Sequence, residues 1–166
     1  MPPQITIREA HSAEDISVAR RLMREYGEFL SNNPSGAANI CLTGYEQELQ
    51  GLPHGYAVVL LAEVGGVPAG CVALREIDRP ERACEMKRLW VGGKFRGLRL
   101  GRRLIEDALA WAERKGFESM YLDTVPAAMP EANRIYASLG FTPVERYNRN
   151  PVADVEFFSR PIKNVR

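Results

Sequence analysis

Apolar and polar positions change their period several times along the chain, and each change marks a predicted element. Ile5 and Ile7 alternate with polar neighbours, as in a half-buried strand. Ser12 then offers an N-cap, with Glu14 and Asp15 suited to the first turn of a helix. Ile16, Ala19, Leu22, Met23, Tyr26 and Leu30 keep helical spacing, so a helix is predicted from Glu14 to Leu30. It ends in the breaker run Ser31-Asn32-Asn33-Pro34-Ser35-Gly36. A short second helix is expected over Tyr45 to Gln50, ahead of Gly51. Tyr56 to Val64 is almost continuously apolar and β-branched, Gly65-Gly66 supplies a tight turn, and Val67 to Ile77 runs back as a long hairpin. A strand over Cys84 to Val91 follows the Asp78-Arg79-Pro80-Glu81 turn, which makes the first half mostly antiparallel sheet.

The second half opens on a loop, Gly92 to Leu98, and a helix over Arg99 to Lys115 whose apolar stripe is Leu104, Ile105, Ala108, Leu109, Trp111 and Ala112. A strand is expected over Phe117 to Asp123, a helix over Pro130 to Ser138 closed by Gly140, and strands over Pro143 to Tyr147 and Val155 to Arg160. The 166 residues suit one domain, since a single core serves roughly 100–200 residues.

Lys and Arg number 22 against 21 Asp and Glu, for a formal charge of +1. That near-neutrality sets up no global field toward nucleic acid or an anionic membrane, so anion recognition must be local. No apolar run is long enough to span a bilayer, and the start MPPQITIREA lacks the apolar core of a signal peptide; the cytoplasm is the expectation. Cys41, Cys71 and Cys84 are widely spaced, with no Cys-x-x-Cys or His partner, which points to small buried hydrophobes and to no metal site. A nucleophilic cysteine would need a base, and His11 and His54 each stand isolated in a loop-like context.

The run Lys94-Phe95-Arg96-Gly97-Leu98-Arg99-Leu100-Gly101-Arg102-Arg103 changes this picture. It lies between a strand and a helix, where unpaired backbone N–H groups and the helix dipole favour an anion. Gly97 and Gly101 let the backbone approach a phosphate, and Arg96, Arg99, Arg102 and Arg103 can pair with several phosphate oxygens. A pyrophosphate fits better than a lone carboxylate. The run matches neither the Walker A loop nor the dinucleotide fingerprint. It also lacks the interleaved aromatics of a single-stranded nucleic-acid binder.

Arg96-Gly97-Leu98-Arg99-Leu100-Gly101 resembles the pyrophosphate loop [QR]-x-x-G-x-[GA] of the GNAT superfamily of acyl-CoA-dependent N-acyltransferases, with Arg99 in place of the middle glycine. Glu85 to Val91 resembles that family's fourth strand. Asn133-Arg134-Ile135-Tyr136 with Leu139-Gly140-Phe141 resembles its N-x-x-x-Y…GF segment, and the likeness runs from Val58 to Pro161. The resemblance implies one domain over residues 1–166, of the α/β (α+β) class. Its fold would be three-layered, with a mixed, mostly antiparallel central sheet of about seven strands flanked by about four helices. The sheet would splay between its fourth and fifth strands. The implied cosubstrate is acetyl-CoA, without metal; the implied partner is an amine acceptor, with no nucleic acid and no membrane, and a homodimer as a quaternary option.

On the same resemblance the backbone of Leu89, Trp90 and Val91 contacts the pantetheine arm as an added strand would, with Thr124 on the other side. Arg96, Gly97, Leu98, Arg99, Leu100, Gly101 and Arg102 hold the pyrophosphate, Arg99 presenting its amide with the side chain turned away. Tyr136 is the expected acid for the leaving thiolate, or else a packing residue beneath Leu139. Glu85 shares a predicted strand face with Lys87, Leu89 and Val91; it is either the base for the amine or the partner of a neighbouring cation. Asn133 lies near Tyr136 on its helix, positioned for the cofactor or simply for solvent. The loop Tyr147-Asn148-Arg149-Asn150-Pro151 suits an acceptor site or an ordinary connection. Two functions follow: direct acetyl transfer from acetyl-CoA to a primary amine, or an acyl-CoA sensor and interaction module without turnover.

Overall fold

The computed structural model describes residues 2–32 and 44–162; Cys41 and most of the breaker run after Asn32 lie outside them. Ser12 caps helix α1 (Ala13–Ser31): its hydroxyl accepts from the Asp15 N–H at 3.0 Å, and the Asp15 carboxylate accepts from the Ser12 N–H at 3.2 Å. Arg8, on strand β1 (Ile5–Glu9), adds a two-pronged ion pair at 2.9 Å that holds the Asp15 carboxyl far below the usual carboxylate range. Helix α2 (Tyr45–Gln50) leads to the hairpin of β2 (Val58–Val64) and β3 (Val67–Ile77), then to β4 (Ala83–Val91). After a 3-10 turn over Gly93–Phe95 come α3 (Leu100–Arg114), β5 (Ser119–Thr124), α4 (Pro130–Ser138), β6 (Thr142–Pro143) and β7 (Glu156–Pro161).

The seven strands form one sheet in the order β1-β2-β3-β4-β5-β7-β6. Neighbours are antiparallel except β4 and β5. Helices cover both faces. Leu104, Ile105 and Ala108 of α3 and Ala132 and Tyr136 of α4 pack with Leu60, Val72 and Leu74 on one side. Ala19, Leu22 and Met23 of α1 and Leu49 of α2 pack with Leu61, Cys71 and Ala73 on the other. This is the expected three-layer architecture.

Two irregularities shape its centre. The parallel pairing of β4 with β5 covers Ala83↔Ser119, Cys84↔Met120 and Glu85↔Tyr121 and then stops, although both strands continue. The sheet opens there. In β4, Cys71 pairs with Trp90 and Ala73 with Lys87, so Val72 alone faces Arg88 and Leu89 in a β-bulge, with Arg88 at φ 61°. The extra residue reverses the alternation. Cys84 and Met86 point to the α3 side before the bulge, whereas Leu89 and Val91 point there after it and Trp90 joins the α1 side. The expectation that Glu85, Lys87, Leu89 and Val91 share one face is therefore corrected: Glu85 and Lys87 lie on the α1 side alone.

Boundaries shift where turns capture the chain. The Tyr56 N–H bonds Pro53 O at 3.1 Å, so β2 starts at Val58 rather than Tyr56. The Phe117 N–H bonds Ala112 O at 3.0 Å, which delays β5 to Ser119. The strand expected over Pro143 to Tyr147 shrinks to Thr142–Pro143, because Tyr147 and Asn148 turn inward to bond Glu85. Cys71 and Cys84 are free and buried, and burial pushes both thiols up to about 12.

Candidate active site

The loop between β4 and α3 is built on two left-handed residues, Gly97 at φ 86° and Arg99 at φ 60°, which turn the chain into the helix. For an arginine this conformation costs about 1–2 kcal/mol, so Arg99 adopts the geometry that a glycine at this position would take without strain. The first helical bond runs from the Arg103 N–H to Arg99 O at 3.2 Å. The amides of Leu100, Gly101 and Arg102 ahead of it donate to no acceptor among the described residues.

These amides border a groove of about 340 Å³. One wall carries Arg96, Gly97, Arg99, Gly101 and Arg102; Leu89, Trp90 and Val91 lie along the freed part of β4; Met129 to Ala132 and Ile135 close the far side. The Arg96 guanidinium sits 5.8 Å from the Phe29 ring centroid and 3.8 Å from the Glu131 carboxylate across the groove. Arg99 is among the residues that line the groove. Leu98 instead packs with Val64, Ala69 and Leu100. Asn133 donates to Thr124 Oγ1 at 3.1 Å and to Met129 O at 2.8 Å, fastening the end of β5 to the start of α4, and lines neither cavity.

A second cavity of about 500 Å³ meets the groove at Leu89, Ala128 and Met129, which line both. Thr124 and Tyr136 line this second cavity, reached through the opening between β4 and β5. The Tyr136 ring packs edge-on against Phe141, and its hydroxyl donates to no acceptor among the described residues. Burial, then the nearby Tyr26 and Asp123, push this phenol above its ordinary value.

Glu85 is 1% exposed and does not line the cavity. Its Oε1 accepts from Arg75 at 2.7 Å and stands 3.9 Å from Lys87 Nζ; its Oε2 accepts from the Tyr147 hydroxyl at 2.5 Å and Asn148 Nδ2 at 3.1 Å. Asn148 also donates to Asp123 at 2.6 Å, so one side chain ties both carboxylates to the loop. Tyr147 is wedged against Tyr121 and Phe157, and its phenol is raised by burial and by the adjacent Glu85.

The bulge has its own anchor. The Arg88 guanidinium grips both oxygens of Glu48 on α2, at 2.9 and 2.7 Å, over the Tyr45 ring, and Tyr56 donates to Glu48 at 2.7 Å. Burial alone would raise the Glu48 carboxyl, but Arg88 holds it below its usual range. Of the residues expected from sequence, the structure brings the loop amides, β4 backbone, Thr124 and Tyr136 around two joined cavities. It adds Arg75, Asp123 and Arg88. Only the polar, aromatic run Tyr147 to Pro151 signalled its part in the sequence; nothing local announces that Arg88 sits in a bulge.

The sheet opens between its parallel strands, and a helix start with unpaired amides borders a groove that leads into a second cavity; comparison says which class of protein has this arrangement. Residues 18–141 match the acetyltransferase (GNAT) family, and the chain belongs to that family of acyl-CoA-dependent N-acyltransferases. The match takes in part of α1, beyond the stretch on which the sequence motifs rest. An uncharacterised N-acetyltransferase of Schizosaccharomyces pombe is 34% identical over 163 residues, 94% of each chain. Among solved structures, an acetyltransferase of Salmonella typhimurium with acetyl-CoA aligns at TM-score 0.67 and 20% identity, covering 96% of this chain and 95% of that one. The PaiA N-acetyltransferase of Thermoplasma acidophilum with coenzyme A aligns at TM-score 0.73 and 15% identity, covering 95% and 99%.

Proposed function

We propose that the protein transfers an acetyl group from acetyl-CoA directly to a primary amine in the cytoplasm, working as a single domain. The observation that carries this reading is the junction at Leu89, Ala128 and Met129, where the groove bordered by free amides opens into the cavity holding Tyr136. The unpaired amides of Leu100 to Arg102, with Arg96, Arg99 and Arg102, suit the diphosphate of CoA. The unpaired edge of β4 beyond Glu85 suits the amides of a pantetheine arm. Solved relatives with acetyl-CoA or coenzyme A support the cosubstrate.

In the reaction the amine nitrogen bonds to the thioester carbonyl carbon, the carbon–sulfur bond breaks, and the amine gives up one proton to solvent in the cavity, from which the Tyr136 phenolate is afterwards reprotonated. The Tyr136 hydroxyl supplies a proton to the departing thiolate. Because burial raises this phenol, it stays protonated throughout the neutral range. Glu85 has its oxygens occupied by Arg75, Tyr147 and Asn148, so it serves the acceptor side by holding those groups in place. Asn133 serves the cofactor side by fixing Thr124 and the start of α4.

Incubation with acetyl-CoA and an amine panel should release CoA and give an N-acetyl product. Tyr136→Phe removes a hydroxyl with no protein partner among the described residues, so its thermal midpoint should not move. Its kcat should fall about 100-fold with KM for acetyl-CoA unchanged. Full turnover in the variant at all pH values would remove the acid role from Tyr136.

A further inference from the structure

We infer that the acceptor is a small primary amine carrying a carboxylate, of the amino-acid type; this rests on the acetyl-transfer reading above and names its substrate class. The inference comes from the hydrogen-bonding inventory of the larger cavity. Its charged lining is Arg75, Lys87, Arg88 and Arg149 against Asp123 alone. Not all of those charges are available. Arg88 is spent on Glu48, and one edge of Arg75 is spent on Glu85. Lys87 Nζ stands 3.9 Å from Glu85 Oε1, too far for a hydrogen bond, and donates to no acceptor among the described residues. Arg149 has no partner among them. Lys87, Arg149 and the free edge of Arg75 therefore face the cavity as donors.

Most of the acceptors are engaged by the protein itself. Asp123 Oδ2 takes both the Asn148 amide at 2.6 Å and the Asn150 amide at 3.3 Å, which leaves Oδ1 as the one carboxylate oxygen open to a substrate ammonium. Asn148 Oδ1 accepts from the Asn150 N–H and Asn150 Oδ1 from the Val152 N–H, each at 3.0 Å. Thr124 Oγ1 takes Asn133. A cavity rich in unpaired cationic donors and poor in acceptors favours a ligand that brings acceptors and negative charge. A polyamine would meet cations with little to pair with. The volume of about 500 Å³ accommodates a molecule of amino-acid size.

The test is kcat/KM for matched pairs, each proteinogenic amino acid against its carboxamide and its decarboxylated amine, at one pH and with saturating acetyl-CoA. At least one amino acid should exceed both of its neutral counterparts by tenfold or more. Arg149→Ala should lower kcat/KM for that amino acid at least fivefold more than for its carboxamide, and Lys87→Met should act in the same direction. Retained CoA binding shows each variant folded. Equal or better transfer to the carboxamides or decarboxylated amines overturns the carboxylate inference and leaves the transferase reading standing. An unchanged preference in both variants overturns it too. No transfer to any member of any pair, with another primary amine of the wider panel acetylated, overturns the inference and leaves the transferase reading standing; acetyl-CoA binding with no transfer to any amine overturns both.

Discussion

The Tyr136 hydroxyl and the Cys71 and Cys84 thiols are buried alike, yet chemistry separates them. Tyr136 reaches a cavity, whereas the thiols are sealed in the two cores and pushed up to about 12, where almost no thiolate exists at neutral pH. In a Cys41→Ser variant at pH 8, an aromatic disulfide reagent should therefore titrate no thiol in the native protein and two after denaturation. At this scale the sequence was informative where a motif fixed a residue's surroundings, as with Gly97, Gly101 and Tyr136. It was uninformative for Glu85. Whether a carboxylate is free or enclosed depends on Arg75 and Tyr147, and Tyr147 lies 62 residues away along the chain. Spacing within one strand cannot show that.

Elements carry the geometry that single residues then use. Gly101 has ordinary helical geometry, and a methyl added there would meet Ile135 Cδ1 at 3.7 Å, an unstrained contact. Gly101→Ala should then stabilise the protein by about 0.5–1 kcal/mol. The same methyl intrudes where a phosphate must approach, and CoA binding should weaken about tenfold, or about 1.4 kcal/mol. Urea unfolding and calorimetric titration of one sample check both, and a rise in affinity would contradict the role given to the α3 start. The β4 bulge makes a second case. Arg88→Met leaves the Glu48 carboxylate largely buried without its cation, at a cost of about 3 kcal/mol, the low end for a broken buried pair because Glu48 keeps 27% exposure. Helices and long strands were legible from period and capping. The bulge was not, since one extra residue leaves the composition of a strand unchanged while reversing its faces. The strand predicted over Pro143 to Tyr147 failed for a related reason: polar contacts to Glu85 outweigh pairing with β7 beyond Pro143.

Across the whole molecule, buried tyrosines and paired carboxylates set opposite limits on stability. Tyr45, Tyr56, Tyr136 and Tyr147 are all raised by burial, as are the two buried thiols. Raised groups keep their protons in the fold while the unfolded chain loses them, so their contribution is complete below the unfolded values and drains away above them. Stability should fall from about pH 9 upward, by up to about 1.4 kcal/mol per pH unit for each such group. Glu48 is depressed, so its contribution is present above the ordinary carboxylate range and is lost as pH falls through it. Thermal midpoints from pH 3 to 11 should form a plateau that declines at both ends; a midpoint still rising past pH 10 would contradict the burial of these phenols. The three layers and the opening between β4 and β5 were implied by family resemblance, and element order alone indicated the strand–loop–helix to which the diphosphate is assigned in the proposed function. The most direct test of the account is calorimetric titration with CoA beside pantetheine, which lacks the diphosphate. CoA should bind about 100-fold more tightly, a difference of about 2.8 kcal/mol; equal affinity, or no binding of CoA, would contradict it.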